Sequence, residues 1–102
     1  MPIRILKVPL TSEDYQSIEL PASERVRPRV LSVGCEENGS LCMWVMVLGD
    51  GTQAPRMKCP IYIYSTGQVI SQEMSCEHYL GTVKFGIYEH HIFSPLLARV
   101  GP

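Results

Sequence analysis

The chain has 102 residues, 45% of them hydrophobic and 19% charged, and its formal net charge is −1. This length predicts one domain over residues 1–102, and the apolar content excludes a disordered chain. A general nucleic-acid binder is also excluded, because such proteins gain most of their affinity by neutralising phosphates with a basic surface.

Short segments rich in Val, Ile, Tyr and Thr lie between prolines, and this pattern predicts an all-β chain because proline interrupts helices. In chain order the predicted strands cover residues 3–8, 15–20, 29–36, 41–48, 57–64, 81–88 and 91–97. Six to seven short antiparallel strands at this spacing indicate a small β-sandwich or barrel. At most one short helical turn is expected, and residues 71–74 are its candidate.

Two tight turns are predicted between consecutive strands. Asn38 and Gly39 separate the third and fourth strands, and Asn-Gly readily takes the positive φ that tight hairpin turns require. A second hairpin is predicted around Glu89 and His90, between the last two strands. Residues 49–55 are expected to form an exposed loop.

The cysteines and the apolar segments bear on the compartment. Four cysteines stand at positions 35, 42, 59 and 76, and no two of them form the close pair typical of a zinc site. The N-terminus does not read as a signal peptide, and the longest apolar run, residues 41–48, is too short to span a bilayer. We therefore expect a cytoplasmic protein with reduced thiols, no metal, no cofactor and no membrane partner.

The strand at residues 41–48 is apolar on both faces, so both faces need a cover. One interpretation is a central strand that lies beneath a helix or a loop. The other is that the face of Trp44 and Met46 lies in a subunit interface or a ligand pocket, since apolar patches on small proteins often mark such sites. The second interpretation predicts a homo-oligomer.

Arginines alternate before the third strand. An extended backbone would place Arg25, Arg27 and Arg29 on one face, where guanidinium groups could bind phosphates in a bidentate manner. The alternative is a solvated edge strand, which Pro28 favours because proline cannot donate to a neighbouring strand.

A turn with two tyrosines before it is the second candidate for ligand binding. Thr66 and Gly67 offer a hydroxyl and backbone amides to an anion, and Tyr62 and Tyr64 could stack on a flat ring. The alternative is an ordinary β-turn.

The three histidines do not predict catalysis. General acid–base chemistry needs a histidine held by a carboxylate, but the neighbouring glutamates, Glu77 and Glu89, would point to the opposite strand face from the histidine next to them. Nucleophile-elbow and phosphate-loop motifs are also missing from the sequence. We therefore expect a protein that is not an enzyme.

The chain resembles a group of short proteins encoded mostly by bacteriophages and prophages, and the resemblance lies in the order of five segments. These are IELP (18–21), VLSVGCEENGSLCMWVMV (30–47), IYIYSTGQVI (61–70), HYLGTV (78–83) and HIF (91–93). The chain departs from the group in a longer SERVRPR segment and in reading Ser-Thr-Gly where the group often has Gly-Thr-Gly. The resemblance implies that the protein acts during bacteriophage infection, where small phage proteins commonly bind host components stoichiometrically.

These observations together predict a non-catalytic, phage-encoded binding protein that counteracts host antiviral defence. In one mechanism it sequesters a small nucleotide messenger, with Arg27, Arg29 and the Thr66-Gly67 turn on phosphate or ribose and Tyr62, Tyr64 or Trp44 on the base. In the other it occludes a host defence protein through an apolar face or an open sheet edge. The alternative is a minor virion or assembly component with a structural role.

Overall fold

The computed structural model describes residues 3–21, 27–48, 56–70 and 74–100. They form eight strands and one three-residue 3₁₀ turn. The elements are β1 (Ile3–Leu10), β2 (Tyr15–Pro21), β3 (Arg29–Cys35), β4 (Leu41–Leu48), β5 (Arg56–Ser65), the 3₁₀ turn (Cys76–His78), β6 (Tyr79–Phe85), β7 (Tyr88–Phe93) and β8 (Ala98–Arg99).

The strands form two four-stranded sheets. Sheet A has the order β1-β4-β3-β8 and sheet B has the order β2-β5-β7-β6, and all pairs are antiparallel except β3 with β8. The predicted all-β class is confirmed, and of the two predicted architectures the structure has the sandwich and not a closed barrel. Eight strands replace the predicted six to seven, because β8 has only two residues and is too short to show an alternating pattern.

The core lies between the two sheets. On β4 it takes every second side chain, Met43, Val45 and Val47, and on β5 the alternating Ile61 and Ile63. All five are at most 3% exposed. Removal of these apolar side chains from water is the main force that holds the sheets together.

The first predicted hairpin is confirmed and the second is displaced. At the first, the amide of Gly39 donates to the Glu36 carbonyl (2.8 Å), and Gly39 has a φ of +85°. The second turn was predicted at Glu89-His90 but lies three residues earlier, at residues 86–87. Gly86 has a φ of +62° there, a conformation that glycine adopts without steric cost. Glu89 and His90 are therefore strand residues of β7 and not the tip of a hairpin.

The sheets approach each other closely where β3 faces β6. A Cβ atom built on Gly81 would lie 2.4 Å from Cγ2 of Val33. No side chain fits into that gap, so the contact of β6 with β3 depends on glycine at position 81.

Some predictions fall on residues outside the described ranges. They are the place of Arg25 in the arginine face, the loop at residues 49–55 and most of the helical turn proposed at 71–74. The 3₁₀ turn that the structure does contain begins at Cys76. Within the described ranges, no helix has the length and apolar character needed to cross a membrane.

Candidate functional site

The predicted ligand-binding residues are divided between the two sheets. Arg29 is exposed and pairs with Met46, so it lies on the outer face of sheet A, and Arg27 is exposed two residues earlier. Tyr62 and Tyr64 lie on the outer face of sheet B, and the Thr66-Gly67 turn follows them. Outer faces of a sandwich look away from each other, so the structure does not place Arg29 beside the tyrosines.

The two tyrosines also have different surroundings. Tyr62 packs on Tyr15 of β2, with ring centroids 5.1 Å apart. Tyr64 is only 8% exposed and meets Phe93 of β7 edge to face at 5.6 Å, and Phe93 in turn meets Tyr79 of β6 at 5.5 Å. Three aromatic rings thus cross three neighbouring strands on the outer face of sheet B.

These rings line a cleft of about 310 Å³, which we call the aromatic cleft. Its lining residues are Tyr64, Ser65, Thr66, Gly67, Gln68, Ile70, Tyr79, His91 and Phe93. Ligand pockets in proteins measure roughly 300–1,000 Å³, so the volume suits one ring system and not a large ligand. The structure therefore places Tyr64, Thr66 and Gly67, but not Tyr62, in one cleft together with residues of β6 and β7.

A chain of hydrogen bonds runs beside the aromatic cleft and centres on His91. The Thr66 hydroxyl lies 3.0 Å from Oε1 of Glu89 and 2.7 Å from Nε2 of His91. On the other side of the ring, Nδ1 of His91 lies 2.9 Å from the Thr82 hydroxyl, which lies 2.5 Å from the Tyr79 hydroxyl. Five side chains from β6, β7 and the turn after β5 are linked in this way.

The direction of each bond follows from the ionised carboxylate at one end, because a carboxylate only accepts. Thr66 gives its single proton to Glu89, so it accepts from Nε2 of His91. In the tautomer whose proton lies on Nε2 alone, Nδ1 accepts from the Thr82 hydroxyl, which in turn accepts from the Tyr79 hydroxyl. In that tautomer all four bonds point toward Glu89.

Glu89 is held in its charged form. The hydrogen bond from Thr66 lowers the pKa of Glu89, and Lys84, whose Nζ lies 3.4 Å from Oε2, lowers it further. The carboxylate is therefore ionised at neutral pH, as the direction of the chain requires.

The Thr66–His91 contact resembles a nucleophile–base pair, but its polarity is wrong for one. A base must accept the proton of the nucleophile, and here Nε2 of His91 donates to Thr66. The group on Nδ1 is the Thr82 hydroxyl, whereas a catalytic triad has a carboxylate at that place. These hydrogen bonds hold Thr66, His91 and Tyr79, which line the aromatic cleft, in fixed relative positions.

The sequence analysis missed Glu89, His91, Thr82 and Tyr79. Glu89 and His91 are two residues apart, a spacing that places both side chains on one face of a strand. This signal was hidden by the hairpin turn predicted at Glu89-His90. Which residues of β6 would face them could not be predicted without the register of the two strands.

The outer face of sheet A holds the two predicted interface residues. Trp44 and Met46 are half-buried on β4, and the Trp44 ring lies against Gly34 of β3. β3 pairs with one edge of β4 and β1 pairs with the other. On β1, Ile3 and Ile5 are each 62% exposed on this same outer face, and Ile5 pairs with Met46. Among the described residues no helix lies over this face, because the only helical segment is the turn at Cys76–His78.

One of the four cysteines, Cys42, shares the outer face of β4 with Trp44, and its Sγ lies 3.7 Å from the Gly34 carbonyl oxygen. Cys42 and Cys59 are buried, Cys35 is half-buried, Cys76 is exposed, and all four are free thiols. Within the described ranges no three His, Cys, Asp or Glu side chains lie together as a metal site would require.

Comparison with known proteins gives one match. A family model described as a domain of unknown function (DUF7352) matches residues 1–99. No curated protein and no solved structure matches the chain.

Proposed function

We propose that this chain, which belongs to the DUF7352 family, is a non-catalytic binding protein whose aromatic cleft holds a flat heteroaromatic ring such as the base of a nucleotide signal. The observation that carries the proposal is the cleft itself. Tyr64, Phe93 and Tyr79 offer ring faces and edges to a ligand of that shape, and the volume admits one such ring.

A cation lies beside the aromatic cleft, at the end formed by β6. The guanidinium carbon of Arg99 lies 5.7 Å from the centroid of the Tyr79 ring. A phosphate attached to a base in the cleft would meet Arg99, and this residue takes the place that the sequence analysis gave to Arg27 and Arg29.

The setting that we propose is bacteriophage infection, with the protein in the host cytoplasm and directed against host antiviral defence. The order of segments from IELP to HIF supports this setting through its resemblance to phage and prophage proteins. Sequestration of a nucleotide messenger fits the aromatic cleft better than it fits the outer face of sheet A, where Trp44 has no second ring beside it among the described aromatic pairs.

The test is native mass spectrometry of the protein with a panel of linear and cyclic nucleotides. We expect a nucleotide adduct on the wild-type protein, its loss in Tyr79→Leu, and its retention in Tyr88→Leu. Tyr88 is the matched control because it is exposed on β7 and does not line the cleft. Bare protein across the whole panel would refute the proposal.

A pair of arginine variants locates the phosphate. Arg99→Ala should weaken the nucleotide adduct, whereas Arg29→Ala, on the outer face of sheet A, should leave it unchanged. The opposite result would return the phosphate to the arginines that the sequence analysis selected.

We also propose that the protein is a homo-oligomer that associates through the β1 edge of sheet A, beside the outer face that holds Trp44 and Met46. Two exposed isoleucines, Ile3 and Ile5, beside Trp44 and Met46 support this second role, because exposed apolar patches often mark interfaces. If the oligomer is instead part of a particle, as a minor virion component, mass spectrometry of purified virions would detect the chain.

A further inference from the structure

We infer that the outer face of sheet B binds a linear dinucleotide, with its first base in the aromatic cleft, its second base on the Tyr15–Tyr62 ring pair and its 5′-phosphate beside Arg99. This inference rests on the proposed function and names the class of nucleotide that the face takes. The observation that carries it is a row of aromatic rings that continues beyond the cleft to the β2 edge of the sheet.

The row has one aromatic side chain on each strand of sheet B. Tyr15 pairs with Tyr62, and Tyr62 pairs with Phe93. Phe93 in turn pairs with Tyr79. Directly paired side chains share a face, and neighbouring strands lie about 4.8 Å apart, so the row is about 14 Å long. Only its Phe93–Tyr79 half lines the aromatic cleft, so a ligand with one ring leaves the Tyr15–Tyr62 half unused.

The Tyr15–Tyr62 pair is open to solvent. Tyr15 is 54% exposed, and its ring centroid lies 5.1 Å from that of Tyr62. Among the described strands, none lies beyond β2 on this side of the sheet. Nucleotide bases stack on such rings without needing hydrogen bonds from the protein. Stacking therefore suits both this pair and the aromatic cleft, whose lining is mainly apolar.

The charges at the two ends of the row orient the ligand. At the β6 end, the guanidinium carbon of Arg99 lies 5.7 Å from the centroid of the Tyr79 ring. At the β2 end, Glu13 and Asp14 are exposed and come immediately before Tyr15 in the chain. A phosphate is attracted to the first end and repelled from the second. The 5′-phosphate therefore belongs beside Arg99, and the nucleoside at Tyr15 carries no terminal phosphate.

The test compares the 5′-phosphorylated dinucleotide pApA with an abasic analogue, which has the same length and charge and lacks only the second base. Stacking tolerates any base, so adenine serves as the probe. Isothermal titration calorimetry gives both dissociation constants. We expect pApA to bind about tenfold more tightly, because it stacks one base more. Equal affinities would overturn the inference and leave the proposed function standing, whereas the absence of binding by either ligand would overturn both.

Two tyrosine variants locate the second base. Tyr15→Leu should bring the ratio of the two affinities close to one and leave the affinity for the abasic analogue unchanged. Tyr88→Leu is the matched control, because it removes an exposed ring of β7 that is not part of the row, and it should keep the wild-type ratio. A wild-type ratio in a folded Tyr15→Leu protein would contradict the inference.

The dinucleotide ApAp, with its terminal phosphate at the 3′ end, tests the orientation. It has the same charge as pApA, but in the proposed orientation its terminal phosphate would lie near Glu13 and Asp14. We therefore expect ApAp to bind more weakly than pApA. Equal or tighter binding of ApAp would overturn the placement of the phosphate beside Arg99.

Discussion

The Thr66 hydroxyl contacts both the Glu89 carboxylate and the His91 ring, and its hydrogen bond to Glu89 lowers the pKa of Glu89. Because Thr66 is the largest cause of the lowered pKa of Glu89, Thr66→Val should raise that pKa toward the ordinary value of 4.5. Carbon-13 NMR titration of the Glu89 carboxyl group measures it. Thr82→Val, at a position three hydrogen bonds from Glu89, should change this pKa little. An unchanged pKa in Thr66→Val would mean that Lys84 alone holds the charge.

The same pKa fixes the sign of a pH effect on stability. A carboxylate whose pKa is lower in the folded than in the unfolded state stabilises the fold above its unfolded value. This contribution of Glu89 is present above about pH 4.5 and is lost as the pH falls through the folded value. Thr66→Val should therefore have a smaller loss of stability than wild type over that acidic range, measured by urea unfolding. An equal or larger loss would contradict the link.

The four thiols differ in burial and should differ in reactivity. Burial raises the pKa of the Cys59 thiol, which reduces its reactive thiolate fraction, whereas Cys76 is exposed. N-ethylmaleimide should modify Cys76 first and Cys59 only after unfolding, as followed by peptide mass spectrometry. Modification of Cys59 at the rate of Cys76 in the native protein would show that β5 opens readily.

At the scale of secondary-structure elements, the close contact of β6 with β3 depends on glycine at position 81, which has no Cβ atom. Gly81→Ala should destabilise the fold by about 1–3 kcal/mol, because the new methyl group overlaps Val33. The double variant Gly81→Ala/Val33→Ala should lose less stability than the two single variants added together. Urea unfolding measures each change.

The control for this cycle is Gly86→Ala. Gly86 has a positive φ but nothing within 4 Å of the place of a Cβ atom, so Gly86→Ala should destabilise the fold through backbone strain alone. Its effect and that of Val33→Ala should be additive. If the effects of Gly81→Ala and Val33→Ala were also additive, β6 would have shifted away from β3 to accommodate the new methyl group.

The sequence predicted those elements whose signals are local. The apolar segment 41–48 matches β4 at both ends, and Asn38-Gly39 matches its turn, because alternation and turn chemistry are properties of neighbouring residues. The turn at residues 86–87 was missed because the strand pattern was continued through Gly86 to Tyr88. β8 depends on pairing with β3, which is distant in sequence.

The candidate site was likewise predicted only where its residues are close in sequence. Alternation correctly placed Tyr62 and Tyr64 on one face of β5, but only the order of sheet B brings Tyr79, Thr82 and His91 beside Tyr64. Arg29 was assigned to the same ligand although β3 belongs to sheet A. Assignment of strands to sheets is a long-range property, and the sequence alone carried no signal for it.

At the scale of the whole molecule, the β1 edge of sheet A is available to pair with a strand of a second copy. β1 is eight residues long, and among the described strands only β4 pairs with it. An unpaired edge offers a row of backbone donors and acceptors to another strand. Two antiparallel copies of β1 related by a two-fold axis at Ile5 would place the two Ile5 side chains opposite each other and keep the two Lys7 side chains apart. Lys7 also forms an ion pair with Glu36 of its own chain.

Substitution on this edge tests the oligomer. Ile5→Lys places like charges at the centre of the proposed interface, so we expect it to convert the oligomer to a monomer in sedimentation velocity experiments. Ile87→Lys is the matched control, because Ile87 is 90% exposed at the β6–β7 turn and lies away from sheet A. A wild-type protein that sediments as a monomer at high micromolar concentration would refute the interface. An oligomer that survives Ile5→Lys would move the interface away from β1, because the two added charges would lie directly opposite each other on the paired strands.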